Sequence, residues 1–214
     1  IRLMAGAPKR NGELYEVDVE IRDGAHNGSS QIHSSAKAIL ADRFPSAPSF
    51  EENGHFKATR KVRPLAEIYQ QILFHGDALQ GIQRIVRLSK HGMTAQVRSA
   101  PSPDKWLDDP MRSRWIADPL VLDCAFQMAI VWCHEQQGMV SLPSYAASYR
   151  QYRERFPAEG VTAVMEVANV TERKMVADFT VLDPEKKVIA CMKGYEAVMD
   201  PRLGTARYRW DIIK

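Results

Sequence analysis

The alternation of apolar and polar positions predicts strands in both halves of the chain. In residues 14–22, LYEVDVEIR, the side chains of Val17, Val19 and Ile21 point to one side, and acidic residues point to the other. This pattern is typical of a half-buried strand. The same reasoning predicts further strands near 32–40, 82–88, 93–99, 145–152, 161–169, 174–182 and 187–197. The last two are joined by a hairpin turn that starts at Asp183 and Pro184.

Two helices interrupt the strands. Residues 64–73 predict a short helix with a proline in its first turn. A longer helix is predicted to begin at Pro119, with Asp118 as its N-cap, and to end near Gly138. Its apolar residues lie on all sides, which indicates a buried helix. A buried helix followed by antiparallel strands predicts an α+β fold, with the sheet wrapped around the central helix.

The stretch FPSAPSFEENG has the Pro-, Ser- and Gly-rich composition of a linker. We therefore expect residues 1–48 to hold the last strands of a preceding unit plus the linker. Residues 49–200 are expected to form the main unit, and 201–214 a tail or linker. Because the chain starts at Ile1 rather than methionine, we expect it to be part of a longer protein.

Composition narrows the functional classes. With 45% hydrophobic and 26% charged residues, the chain is typical of a globular protein without a membrane segment. The net charge of +3 is spread along the chain, which gives no support to nucleic-acid binding and weakly favours an acidic protein partner. Cys124, Cys133 and Cys191 form no disulfide framework and have no metal-ligand spacing, so we expect a cytoplasmic location and no metal.

The central helix contains two strongly polar residues between Pro119 and Cys133, namely Asp123 and Gln127. They are four residues apart and therefore share one face of the helix. Burial raises the pKa of a carboxyl group, and a protonated carboxyl beside an apolar channel is suited to general-acid catalysis. The alternative is a buried polar pair that serves structure only, and the spacing by itself leaves both interpretations open.

At these residues the chain resembles the dehydratase domains of polyketide synthases. Residues 118–127, DPLVLDCAFQ, are similar to the family's aspartate signature, and residues 73–82, LFHGDALQGI, to its Gly-Pro and Phe-Gln-Gly segment. Leu142–Pro143 and residues 194–200, GYEAVMD, match the family's later segments in order and spacing. The resemblance covers about residues 60–200, and residues 14–41 are similar to the end of the family's first hotdog.

The resemblance implies a double-hotdog fold, of which residues 49–200 are the second hotdog. It implies removal of water from a 3-hydroxyacyl chain carried on the phosphopantetheine of an acyl carrier protein, with no other cofactor. Asp123 would be the general acid and Gln127 its orienting neighbour. The substrate tunnel would be lined by His75, Gly76, Leu142 and Pro143. Other synthase domains and a second copy of the chain are the further partners that the family implies.

The chain departs from the family's pattern at three positions: Asp118 replaces a histidine, Asp77 a proline and Leu79 a phenylalanine. The family's base histidine is expected upstream of residue 1. His134, Gly138 and Pro143 reproduce the spacing of its motif. However, eleven helical residues separate His134 from Asp123 by about 16 Å, too far for one site. An inactive scaffold or acyl-binding module and a product-template-like cyclase remain the alternatives.

Overall fold

A computed structural model describes residues 1–24, 30–51 and 62–203. The chain divides into two compact units, residues 1–45 and 46–214. Most of the predicted tail, together with His26, His55 and part of the predicted linker, lies outside the described residues. Within the described residues, no helix is long and apolar enough to cross a membrane.

The first unit is a four-stranded antiparallel sheet built on one long strand. Its strands are β1 (Arg2–Ala5), β2 (Lys9–Asn11), β3 (Leu14–Arg22) and β4 (Ile32–Leu40). β1 and β2 pair with different halves of β3, and β4 pairs along its other edge. The predicted strands 14–22 and 32–40 are confirmed. β1 and β2 were not predicted, because strands of three or four residues are too short to show a period.

The second unit contains a six-stranded antiparallel sheet. Its strands are β5 (Ile82–Ser89), β6 (Gly92–Val97), β7 (Ser141–Gln151), β8 (Val161–Val170), β9 (Lys174–Leu182) and β10 (Val188–Met199). Their order in the sheet is β5-β6-β8-β9-β10-β7. All six predicted strands of this unit are present. β7 begins four residues earlier than predicted and includes Pro143, which the sheet tolerates because β7 is an edge strand.

The long helix α2 (Pro119–Gln137) forms the centre of the core. Eleven of its residues are buried, and it packs against β6, β7 and β8. The carboxylate of Asp118 caps it as predicted and accepts hydrogen bonds from the backbone nitrogens of Leu120 and Val121. Gly138 ends it in the left-handed conformation, with φ of 67°.

A short helix, α1 (Leu65–Gln71), precedes the sheet. It was predicted over residues 64–73, but Pro64 lies outside its first turn as the N-cap. Ile68 of α1 is fully buried in the hydrophobic core that α2 and the sheet form. The opposite side of α1 remains exposed, which is the usual arrangement for a helix on the surface of a core.

Candidate active site

Asp123 lies in the second turn of α2, and its side chain is 27% exposed. The surrounding apolar sequence predicted a buried carboxyl. The structure leaves it half-buried because it shares the less covered side of α2 with Leu122 and Phe126. A carboxyl in this position is partly shielded from water but still open to solvent on one side.

Gln127 is fully buried one turn further along α2. Its amide nitrogen Nε2 donates one hydrogen bond to Asp123 Oδ2 at 2.7 Å and a second to the carbonyl oxygen of Leu79, also at 2.7 Å. The four-residue spacing predicted the contact with Asp123. The contact with Leu79 joins residues that are 48 positions apart and depends on the tertiary structure.

Tyr69 completes the hydrogen bonding of Gln127. Its hydroxyl donates to Gln127 Oε1 at 2.9 Å and accepts from the backbone nitrogen of Ile82 at 2.9 Å. Burial raises the pKa of the Tyr69 phenol, so the hydroxyl keeps its proton at neutral pH. Tyr69 could not be predicted from the sequence, because no local pattern distinguishes it from other residues of a short amphipathic helix.

His75 also approaches the carboxyl group. Its ring nitrogen Nε2 lies 3.5 Å from Asp123 Oδ2, and its side chain is only 6% exposed. The neighbouring ring of Phe74 stacks on it, with 4.5 Å between the ring centroids. The resemblance assigned His75 to the tunnel, and the structure places it in direct contact with Asp123.

The loop that follows His75 is held in place by Arg98. It contains a 3₁₀ turn at Asp77–Leu79, which Gly76 precedes as an exposed cap. The guanidinium group of Arg98 donates to the backbone oxygens of Asp77, Ala78 and Gln80. These contacts fix the segment whose Leu79 carbonyl binds Gln127.

The loop also passes very close to α2. A Cβ atom placed on Gly81 would overlap the sulfur of Cys124 and would lie 2.8 Å from two side-chain carbons of Leu120. Burial raises the pKa of the Cys124 thiol, which therefore stays protonated and acts as a small apolar residue. Glycine at position 81 is what allows the loop to pack against the helix.

Not all predicted tunnel residues meet at this place. Leu142 and Pro143 are exposed at the start of β7, where they pair with β10. Among the described residues, neither they nor His134 form a hydrogen bond or an ion pair with Asp123. His134 lies in the last turn of α2, where its ring is 3.6 Å from Glu135.

The described residues contain no group of three or more His, Cys, Asp or Glu side chains placed to hold a metal ion. The three cysteines are free and buried. The polar side chains around Asp123 are an amide, a phenol and an imidazole. Gln127 Nε2 donates to Asp123 Oδ2 and His75 Nε2 lies 3.5 Å from it, and within the described part of the chain no residue hydrogen-bonds Oδ1.

Solved structures of dehydratase domains share this architecture. The chain is similar to the dehydratase domain from the CurF module of the curacin polyketide synthase, with a TM-score of 0.67 and 16% identity, covering 90% of this chain and 66% of that one. It is also similar to the dehydratase domain of RzxB from Pseudomonas fluorescens, with a TM-score of 0.66 and 16% identity over 91% and 66% of the two chains. A trans-AT polyketide synthase dehydratase domain from Brevibacillus brevis gives a TM-score of 0.70 and 19% identity, over 91% and 67%.

These likenesses confirm the predicted fold class: an antiparallel sheet around a buried helix, as in the hotdog dehydratase domains. The family described as "Polyketide synthase dehydratase N-terminal domain" matches residues 56–205. The chain therefore belongs to the polyketide synthase dehydratase family.

One component of the polyunsaturated fatty acid synthase from Thraustochytrium sp. is 33% identical over 81 residues, which are 38% of this chain and 3% of that protein. The chain thus spans only a small part of this relative and about two thirds of the solved domains.

Proposed function

We propose that this chain is the aspartate-bearing part of a dehydratase that removes water from a 3-hydroxyacyl thioester. The observation that carries the proposal is the position of Asp123. Its Oδ2 is occupied by the Gln127 amide, while Oδ1 has no hydrogen-bond partner among the described residues. A proton on Oδ1 is therefore available to a substrate hydroxyl group, as general-acid catalysis requires.

The proposed elimination consists of two proton transfers. A base removes the proton on the carbon next to the thioester carbonyl, and the electron pair forms the new carbon–carbon double bond. The bond between the third carbon and its hydroxyl oxygen breaks, and Asp123 protonates that oxygen so that it leaves as water. The base is proposed to be a histidine upstream of residue 1, as the family resemblance implies. The elimination itself needs no metal or redox cofactor.

The substrate is proposed to arrive on the phosphopantetheine arm of an acyl carrier protein. The relatives support this context, because they include a dehydratase domain of a polyketide synthase and a subunit of a polyunsaturated fatty acid synthase. Other domains of a cytoplasmic synthase and a second copy of the chain are the further proposed partners. His75, Gly76, Leu142 and Pro143 remain the proposed lining of the acyl tunnel, and of these His75 contacts Asp123.

The first test is the variant Asp123→Asn in the intact protein that contains this chain. Asparagine keeps the size of the side chain but has no acidic proton, so loss of water from a 3-hydroxyacyl-pantetheine thioester should become undetectable by mass spectrometry. Asp109→Asn is the matched control, since Asp109 is exposed in a loop. Full activity of Asp123→Asn would refute the assignment of Asp123 as the acid. Absence of turnover by the unmodified intact protein would favour the scaffold alternative.

The second test asks where the base lies. The 214-residue chain is incubated with the same thioester, and no turnover is expected, because Asp123 would lack its base. Turnover by this chain would place the base within it. His75 would then be the first candidate, because among the described histidines it is the one that contacts Asp123.

A further inference from the structure

We propose that Tyr69 is a positioning residue that determines which oxygen of Asp123 holds the acidic proton. The inference rests on the proposed function for its catalytic meaning, but the geometry behind it does not depend on that function. Three hydrogen bonds form a chain from the backbone of Ile82 through Tyr69 and Gln127 to Asp123.

The direction of the first bond is fixed by chemistry. A backbone N–H can only donate, so the Tyr69 oxygen must accept from Ile82. The single phenolic proton is then directed to the other neighbour, which is Gln127 Oε1 at 2.9 Å. Because burial raises the pKa of this phenol, the proton is present throughout the neutral range.

The tyrosine proton in turn fixes the orientation of the Gln127 amide. With Oε1 facing Tyr69, the two protons of Nε2 face two acceptors, the Leu79 carbonyl and Asp123 Oδ2. A flipped amide would point its oxygen at both of these acceptors and its nitrogen at the hydroxyl of Tyr69. Gln127 is fully buried, so water cannot compensate for the lost bonds.

An Asp123 oxygen that accepts a hydrogen bond from Gln127 is disfavoured as the site of the acidic proton. Oδ2 is 2.7 Å from Gln127 Nε2, which can only donate, so a proton on the carboxyl group is expected on Oδ1. Oδ1 is also the oxygen without a hydrogen-bond partner in the described residues. Tyr69 thus acts through Gln127 and does not itself contact the carboxyl group.

Tyr69→Phe removes only the hydroxyl group and is the decisive variant. In the 214-residue chain, the two side-chain amide protons of Gln127 should give separate, slowly exchanging NMR signals, which in Tyr69→Phe should broaden or exchange faster. Tyr149→Phe is the matched control, since Tyr149 donates to Gln151 in the same way and, among the described residues, neither of these two hydrogen-bonds Asp123 or Gln127. Unchanged Gln127 signals in Tyr69→Phe would overturn the proposal.

Kinetics of the intact protein provide the second measurement. Loss of the correct carboxyl orientation should lower kcat by about tenfold to a hundredfold, with a smaller effect on KM. Gln127→Leu should cause a similar loss, and the double variant should lose no more than Gln127→Leu alone. If kcat of the double variant instead falls by the product of the two single-variant factors, Tyr69 does not act through Gln127, and the proposal would be overturned.

A merely structural role of Tyr69 gives a different result. Tyr69→Phe leaves the backbone nitrogen of Ile82 without its acceptor, so it should lower stability equally in the wild-type and Gln127→Leu backgrounds. Failure of the proposed function is also distinguishable. If Asp123→Asn retains activity while the Gln127 signals still depend on Tyr69, the positioning is correct and the acid assignment is wrong.

Discussion

The variant Gly81→Ala tests whether the loop after His75 must touch α2. Its added methyl group would overlap the sulfur of Cys124 and press on Leu120 at 2.8 Å, a separation that real Cβ contacts do not show. Either the two helix side chains move or the loop retreats. A retreating loop would lengthen the hydrogen bond of 2.7 Å between the Leu79 carbonyl and Gln127.

The expected cost follows from overpacking of a buried contact. One methyl group forced into a filled site destabilises a protein by about 1–3 kcal/mol. Cys124→Ala removes the overlapping sulfur and by itself should cost about 1 kcal/mol. The double variant should recover part of the loss, with a coupling of about 0.5–2 kcal/mol, because Leu120 still obstructs the methyl group.

Urea unfolding followed by tryptophan fluorescence measures these changes. Trp106, Trp115 and Trp132 are partly or fully buried in the second unit, so their signal reports on the unit that contains the site. Gly76→Ala is the control from the same loop, since a Cβ there has no neighbour within 4 Å and should shift stability by less than about 0.5 kcal/mol. Two results would contradict the close contact at Gly81: unfolding of Gly81→Ala at the wild-type urea concentration, or no recovery of stability when Cys124→Ala is added to it.

Three further predictions concern the supports of the site and of the core. Arg98→Met removes three hydrogen bonds to the loop, so amide hydrogen exchange of residues 77–80 should become about tenfold faster in mass spectrometry. Trp132→Phe loses the bond from the indole to the Ser89 carbonyl and leaves a cavity, which should cost about 2–4 kcal/mol in urea unfolding followed by circular dichroism. Asp118→Ala removes the cap of two α2 nitrogens and the acceptor of the Ala100 nitrogen, and it should lower stability by about 2 kcal/mol in the same assay.

Each of these variants has a matched control. Arg84→Met removes an exposed arginine from β5 and should leave the exchange of the loop unchanged. Asp118→Asn keeps a capping oxygen for α2 and should lose less stability than Asp118→Ala. Trp106→Phe changes a partly buried tryptophan outside α2 and should cost less than Trp132→Phe. Equal effects in variant and control would contradict the corresponding prediction.

Local sequence determined most of the secondary structure of this protein. Asp118, Pro119 and Gly138 mark the ends of α2 through capping chemistry, which acts within a few residues. The alternation of apolar and polar residues predicted the long strands, because it too depends only on residues close together in the chain. The contact between Asp123 and Gln127 was also predictable, because helical geometry places residues four apart on one face.

The tertiary structure alone decided what surrounds the carboxyl group. Tyr69 is 58 residues from Gln127, and the Leu79 carbonyl is 48, so no periodicity could indicate their contacts. Sheet order, which places β7 next to β10 at the edge, is likewise a product of long-range pairing. Local patterns report preferences of neighbouring residues, whereas a polar network in a core depends on which distant segments the packing brings together. Asp123, Gln127 and His75 were therefore visible in the sequence, but Tyr69 and the hydrogen-bond chain that leads from it to Asp123 became visible only in the fold.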